Sequence, residues 1–299
     1  MIRALPMSKL TPDAASSVRS PHAMRVALLT VVAMLAFAGN SLLCRLALKG
    51  TQIDAATFTL VRIAAATLVL WVILVARSGE RRAGSWPSAL ALIVYAAAFS
   101  YAYVRLAAGT GALLLFGAVQ ATMIGYGLFK GERLAAAQWL GLVLALAGLV
   151  WLVLPGLAAP EPFSSVLMIA AGAGWGVYSL RGRGLADPVA ATAGNFLRAL
   201  PFALAVSALA FAHARVDGPG FACAVASGAL TSGMGYIVWY AALKDLRPAT
   251  AATVQLSVPV VTAAGGVLLL GEMLTARLVV SSVAILGGIA LVVLSRRTR

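Results

Sequence analysis

Residues 113–154, LLLFGAVQATMIGYGLFKGERLAAAQWLGLVLALAGLVWLVL, return 140 positions later as TVQLSVPVVTAAGGVLLLGEMLTARLVVSSVAILGGIALVVL, and the alignment needs no gap. Thr122, Gly125, Leu128, Gly131, Glu132, Leu134, Leu146 and Gly148 meet Thr262, Gly265, Leu268, Gly271, Glu272, Leu274, Leu286 and Gly288. Each copy is an apolar segment of about 20 residues, a tight Gly-Glu turn and a second apolar segment, the pattern of two membrane-crossing helices joined as a hairpin. Whatever one copy builds, the other must build again.

Charge is too sparse for a soluble domain. Only 11% of residues are charged and 62% are hydrophobic, against roughly 25% charged in an average soluble domain. The chain is therefore read as an all-α integral membrane protein whose first partner is the lipid bilayer. A net charge of +14 would point a soluble protein toward nucleic acid, but here the basic residues sit between apolar segments and act as topology determinants. No nucleic-acid partner is expected. Residues 1–23 lack an apolar core and read as a disordered cytoplasmic tail rather than a signal peptide or a span. Residues 296–299 read as a short basic cytoplasmic tail. Cys44 and Cys223 have no metal or redox spacing and are expected to be two unrelated thiols, with a disulfide as the alternative. No metal or cofactor is implied.

Windows of about 19 residues find apolar runs at 24–48, 54–76, 87–108, 110–130, 134–155, 163–181, 187–211, 219–243, 248–270 and 275–295. Turn residues separate them, and the connections are short enough to make neighbours antiparallel. Ten spans put both termini on one side. Counted at alternate helix ends, that side carries sixteen Lys and Arg residues and the other five, which places both termini in the cytoplasm. The repeat reaches the front of each copy too, since a shift of 136 sets Arg45 on Arg181 and Arg62 on Arg198. Each copy then holds five helices, 24–155 and 163–295. Five is odd, so the second copy enters from the opposite face, and inverted repeats of this kind argue for alternating access around a site at the bilayer midplane.

Two five-helix copies, a helix ending in Leu-x-x-Gly-Glu in each (Leu128 to Glu132, Leu268 to Glu272) and Pro259 in the preceding helix of the second copy resemble the drug/metabolite transporter superfamily, EamA type. The first copy departs from the pattern with Val119 and Gln120. The aromatic content of helices 3, 6 and 8 is similar to that of the YddG-like aromatic amino-acid exporters. The resemblance implies a bacterial inner-membrane exporter of amino acids or related metabolites; multidrug efflux or nucleotide-sugar and metabolite antiport on the same fold is the alternative. Because one duplicated chain supplies both halves, a working monomer is expected.

All nine acids fall in the tail, in loops or at helix ends. Ion-coupled antiport commonly uses a buried acid, so exchange without tight coupling is expected. Glu132 and Glu272 are read as caps of the helices that follow them, or else as gate residues. Arg62 and Arg198 are the basic residues expected well inside helices. They either hold the fold or take a substrate carboxylate, because a charge at mid-bilayer costs about 2.5–3.5 kcal/mol on insertion scales and must face protein or water. The candidate cavity residues are Tyr95, Phe99, Gln120, Asn195 and Gln255, with Trp175, Tyr178, Tyr236 and Trp239, for which an interfacial aromatic belt is the alternative. Pro201 and Pro259 lie inside helices and are possible hinges. Gly172 and Gly176 either pack closely on a neighbour or form a flexible gate. An enzyme is disfavoured: the two histidines lie in the tail and at a helix end, and no acid pair or nucleophile signature occurs in the membrane. A scaffold subunit would need no water-filled cavity.

Overall fold

A computed structural model of the chain describes residues 21–77, 83–131, 133–156, 159–246 and 248–295. Among these, ten helices are long and apolar enough to cross a membrane, and no strand occurs. They are α1 (Pro21–Gly50), α2 (Ala55–Ala76), α3 (Trp86–Tyr103), α4 (Ala108–Phe129), α5 (Ala136–Val153), α6 (Pro162–Arg181), α7 (Pro188–Leu209), α8 (Gly218–Leu243), α9 (Pro248–Gln255 continued by Ser257–Leu270) and α10 (Ala276–Leu294). The tail expectation is corrected at its edge, because residues 21–23 already belong to α1. Residues 1–20, Glu132 and residues 296–299 lie outside the described part.

The helix starts are written in short polar side chains. Asp54, Glu161, Asp187 and Asp217 each accept main-chain N–H groups at the start of α2, α6, α7 and α8, and Ser85 and Thr275 do the same for α3 and α10. Such caps satisfy donors that a helix terminus leaves without a partner. α3 stops at Tyr103 rather than near 108, and a turn through Val104–Ala107 separates it from α4. Gly131 and Gly271, equivalent in the two copies, both turn with positive φ, 87° and 62°, where a side chain would be strained.

Two spans are irregular. α8 passes through a π turn at Ser227–Met234, and α9 breaks at Leu256. Pro259 follows that break by three residues. With no N–H it cannot bond the Gln255 carbonyl, which ends the ladder there. α7, by contrast, runs through Pro201 without interruption, with the proline on the exposed surface.

Packing pairs recur between the copies. α3 packs on α6 while α8 packs on α1, α4 packs on α6 while α9 packs on α1, and α3 packs on α7 while α8 packs on α2. α2 with α7, α4 with α9, and α5 with α10 are contacts between equivalent helices. The last pair is the tightest: a Cβ on Gly141 would stand 2.5 Å from the Gly288 carbonyl oxygen, and one on Gly288 would stand 2.4 Å from that of Gly141. Only glycine allows this backbone approach. Gln138 of α5 adds a hydrogen bond, 3.1 Å, to the Val292 carbonyl of α10.

Candidate functional site

A cavity opens in the middle of the bundle. Its walls are Phe37, Asn40 and Ser41 of α1, Tyr95 and Phe99 of α3, Leu115 and Phe116 of α4, Trp175 of α6, and Thr231 and Tyr236 of α8. It therefore draws on helices from both copies. The free space inside it is small, about 20 Å³ on a scale where one water needs about 10–15 Å³, so the rings nearly close on one another.

Aromatic rings make most of the wall. Trp175 stands 5.0 Å from Tyr95 and 5.1 Å from Tyr236, centre to centre, and Phe37 meets Trp175, Tyr236 and Trp239 edge-on at 6.4, 6.0 and 5.9 Å. Tyr178 stacks on Trp175 at 5.4 Å. Tyr178, Tyr236 and Trp239 are 3, 4 and 7% exposed, so these rings form an internal cluster and not a belt at the membrane surface. Gly172 and Gly176 set the position of Trp175. A Cβ on Gly172 would stand 2.5 Å from the Leu115 carbonyl oxygen, and one on Gly176 would stand 2.8 Å from Thr122. Both glycines are contact points of α6 on α4.

A polar patch lies beside the rings, built by the π turn. Ser227 donates to Asn40 Oδ1 at 2.7 Å, the Thr231 hydroxyl donates to the Ser227 carbonyl at 2.7 Å and lies 3.3 Å from Asn40 Oδ1, and Asn40 Nδ2 donates to the Tyr95 hydroxyl at 3.1 Å. Ser232 accepts from Arg62 Nε at 3.3 Å, and Arg62 Nη2 donates to the Tyr95 hydroxyl at 2.9 Å. The wider turn brings residues 227, 231 and 232 to one face, and π turns recur at functional sites. α2 can lie this close because residue 228 is glycine; a Cβ there would stand 2.2 Å from the Arg62 carbonyl oxygen. Arg62 is 1% exposed, its guanidinium carbon lies 5.1 Å from the Tyr95 ring centre and 5.0 Å from that of Phe99, and its Nη1 has no partner.

The remaining sequence candidates fall elsewhere. Arg198 donates through Nη1 to the carbonyls of Ala83, 2.7 Å, and Gly194, 2.9 Å, and Asn195 Oδ1 accepts from Ser85 N–H at 2.8 Å. Together they hold the start of α3 on α7, so Arg62 and Arg198 align in sequence but differ in surroundings. Gln120 is buried within α4 and Gln255 half-buried in α9. Neither lines the cavity, nor do Tyr178, Trp239, Pro201 or Pro259.

The expectation for Glu272 is corrected. Thr275, not Glu272, caps α10. Glu272 Oε2 accepts from Ala108 N–H at 2.7 Å, and Oε1 accepts from Arg45 Nε at 2.9 Å, with both side chains 8% exposed. Arg45 also donates to the carbonyls of Tyr103 and Val104 at 2.9 and 3.1 Å. A positively polarised helix start and a guanidinium thus hold one carboxylate, and Arg45 joins Arg62 as a buried base within a helix. At the same end of the bundle Asp54 N–H donates to the Arg215 carbonyl, 3.0 Å, and Asp54 Oδ2 accepts from Arg215 N–H, 2.9 Å. Asp217 Oδ2 accepts from Gln52 N–H at 3.1 Å. Burial works to raise the Asp54 carboxyl, but hydrogen bonds from Thr57, Arg215 and Ala56 outweigh it and hold it below its ordinary value. The bond from Gln52 lowers Asp217 likewise, against a smaller effect of burial. Cys44 and Cys223 are both free thiols.

Sequence reasoning missed Phe37, Asn40, Tyr103 and the Ser227–Ser232 turn. Asn40 left a signal as an isolated amide inside an apolar run, and so did the small polar string SGALTSGM.

Residues 162–294 match the model of the EamA-like transporter family. A Pseudomonas aeruginosa protein named uncharacterized protein PA1977 is 56% identical over 278 residues, covering 92% of this chain and 96% of its own length. A solved crystal structure of a protein 18% identical in sequence superposes with a TM-score of 0.63, over 91% of this chain and 99% of the other. That likeness is one of fold.

Proposed function

The chain belongs to the EamA-like transporter family, and from that premise we propose that it exports aromatic and neutral amino acids and related metabolites across a bacterial inner membrane by alternating access. The observation that carries the reading is a cavity walled by α1, α3 and α4 of one copy and α6 and α8 of the other. Rocking one five-helix half against the other would open such a cavity to each side in turn. The matched helix pairs fit two halves of inverted topology, and a single chain supplies both, so a monomer suffices.

The wall supports the substrate class. Tyr95, Phe99, Trp175 and Tyr236 offer ring faces and edges on which an aromatic or apolar side chain could stack once the halves part to admit it. No acid among the described residues lines the cavity, and the buried Glu272 carboxylate is held by Arg45 and Ala108. That lining supports exchange down a solute gradient without tight ion coupling as the reading. The sixteen-to-five distribution of basic residues supports a reading with both termini in the cytoplasm and the Arg45–Glu272 end outside.

Counterflow into liposomes loaded with unlabelled amino acids, without any ion gradient, tests the reading. Labelled neutral and aromatic amino acids accumulate with the parent protein, and Trp175→Ala lowers the initial rate about tenfold, the equivalent of about 1.4 kcal/mol of lost ring contact. No flux for any amino acid would reject the class.

A further inference from the structure

We propose that the cavity holds its solute by a carboxylate group, with the Tyr95 hydroxyl as the donor at the wall and Arg62, which stands against Tyr95 and Phe99 outside the lining, as the charge that favours an anion there; the transported class is then organic monoanions and zwitterions with an apolar or aromatic body. This rests on reading the cavity as the transport site.

Three arginines of the helices turn inward, and two of them reach main-chain carbonyls. Arg45 has Glu272 and two carbonyls, and Arg198 has two carbonyls. Arg62, equivalent to Arg198 by the shift of 136, has neither. Its polar contacts are the neutral hydroxyls of Tyr95 and Ser232, and Nη1 has no partner although the residue is 1% exposed. Among the described residues the ion pairs are Arg45 with Glu272 and His22 with Asp245, so no side chain neutralises this guanidinium. Ring contacts with Tyr95 and Phe99 offset part of the charge, but they satisfy no N–H.

The rest of the patch is biased the same way. The Tyr95 oxygen accepts from Arg62 Nη2 and from Asn40 Nδ2, which leaves its own hydrogen to donate. Asn40 Oδ1 already takes the Ser227 hydroxyl, and the other polar side chains of the wall, Ser41, Thr231 and Tyr236, are hydroxyls that can donate as well as accept. The site therefore presents a cation and donors in a low-dielectric setting, where charge-assisted hydrogen bonds are strongest. Beside it the cavity offers Phe37, Trp175 and Tyr236 for the solute's body. A cationic solute would meet Arg62 with no carboxylate in reach.

Thermal unfolding of the full-length protein in detergent tests this with two shape-matched probes, 3-phenylpropionate and 3-phenylpropionamide. The acid raises the unfolding temperature of the parent saturably, and the amide binds at least tenfold more weakly. Arg62→Gln abolishes the shift by the acid, whereas Arg62→Lys weakens it about tenfold yet keeps the preference for acid over amide. Equal shifts by acid and amide, no shift by the acid, or an undiminished shift in Arg62→Gln overturns the proposal. If Arg62→Gln fails to fold, the parent contrast and Arg62→Lys decide it. Counterflow separates the two readings: flux of amino acids with competition by acid and amide alike keeps the transporter and removes the anion site. Selective binding of the acid with no flux of any solute keeps the site and removes transport.

Discussion

Glu272 and Arg45 are each other's compensation, and neither is tolerable alone. Removing one partner of a buried ion pair typically costs about 3–5 kcal/mol, while replacing both by apolar groups of similar volume is often neutral. Glu272→Gln is expected to lower stability by about that much in chemical unfolding of the purified protein, and Arg45→Met combined with Glu272→Leu to recover most of the loss; equal damage from the single and double changes would contradict the pairing. Asp54 and Asp217 carry a different signature. Their carboxyls sit below the ordinary range in the folded protein, so the stability they lend is present above that range and disappears as the pH falls through about 4 and below. Unfolding temperature is expected to drop between about pH 5 and pH 3, and Asp54→Asn to flatten that decline while leaving stability near pH 7 lower.

The π turn of α8 and the break in α9 show where a span departs from a simple rod, and for different reasons. The turn depends on Gly228, where a side chain would meet the Arg62 carbonyl oxygen at 2.2 Å. Gly228→Ala should force α2 and α8 apart, cost about 1–3 kcal/mol as overpacking does, and weaken binding at the cavity together with stability. Gly125→Ala, with nothing within 4 Å of the added carbon, is the control and should change neither. The break at Leu256 follows from Pro259, and Pro259→Ala is expected to restore the Gln255 bond, raise thermal stability and slow counterflow if bending of α9 accompanies opening. The ten spans were legible because each is about 20 apolar residues between turn signals, while the caps at Asp54, Asp187 and Asp217 were read only as acids in loops or at helix ends. The π turn was not, since widening a helix by one residue per turn changes no composition. Arg45 and Glu272 were read as separate end-of-helix charges because their meeting depends on how the copies dock. The aromatic residues were found by type, but only packing could distinguish Trp175 and Tyr236, which line the cavity, from Tyr178 and Trp239, which stand behind it.

The ties that close the bundle run between the copies: Arg45 to Glu272, Asp54 to Arg215, Gln52 to Asp217, Asn40 to Ser227, and Ser85 to Asn195. If the two halves are inverted with both termini inside, a single-cysteine variant labelled near Gly218 should react with a membrane-impermeant reagent in intact cells, and one near Lys244 only after permeabilisation; the reverse pattern would turn the molecule over. The same ties bear on how the protein is made. Arg45 and Glu272 are 227 residues apart, so at about 5–20 residues per second a ribosome needs roughly 11–45 seconds to deliver the second after the first. About half-way through that interval the first five helices are complete, with the Arg45 guanidinium still waiting for its acid. A nascent first half must therefore stay sheltered beside the insertion machinery until the second half arrives, and a chain truncated near residue 160 should be cleared by membrane proteases instead of accumulating as a half-size transporter.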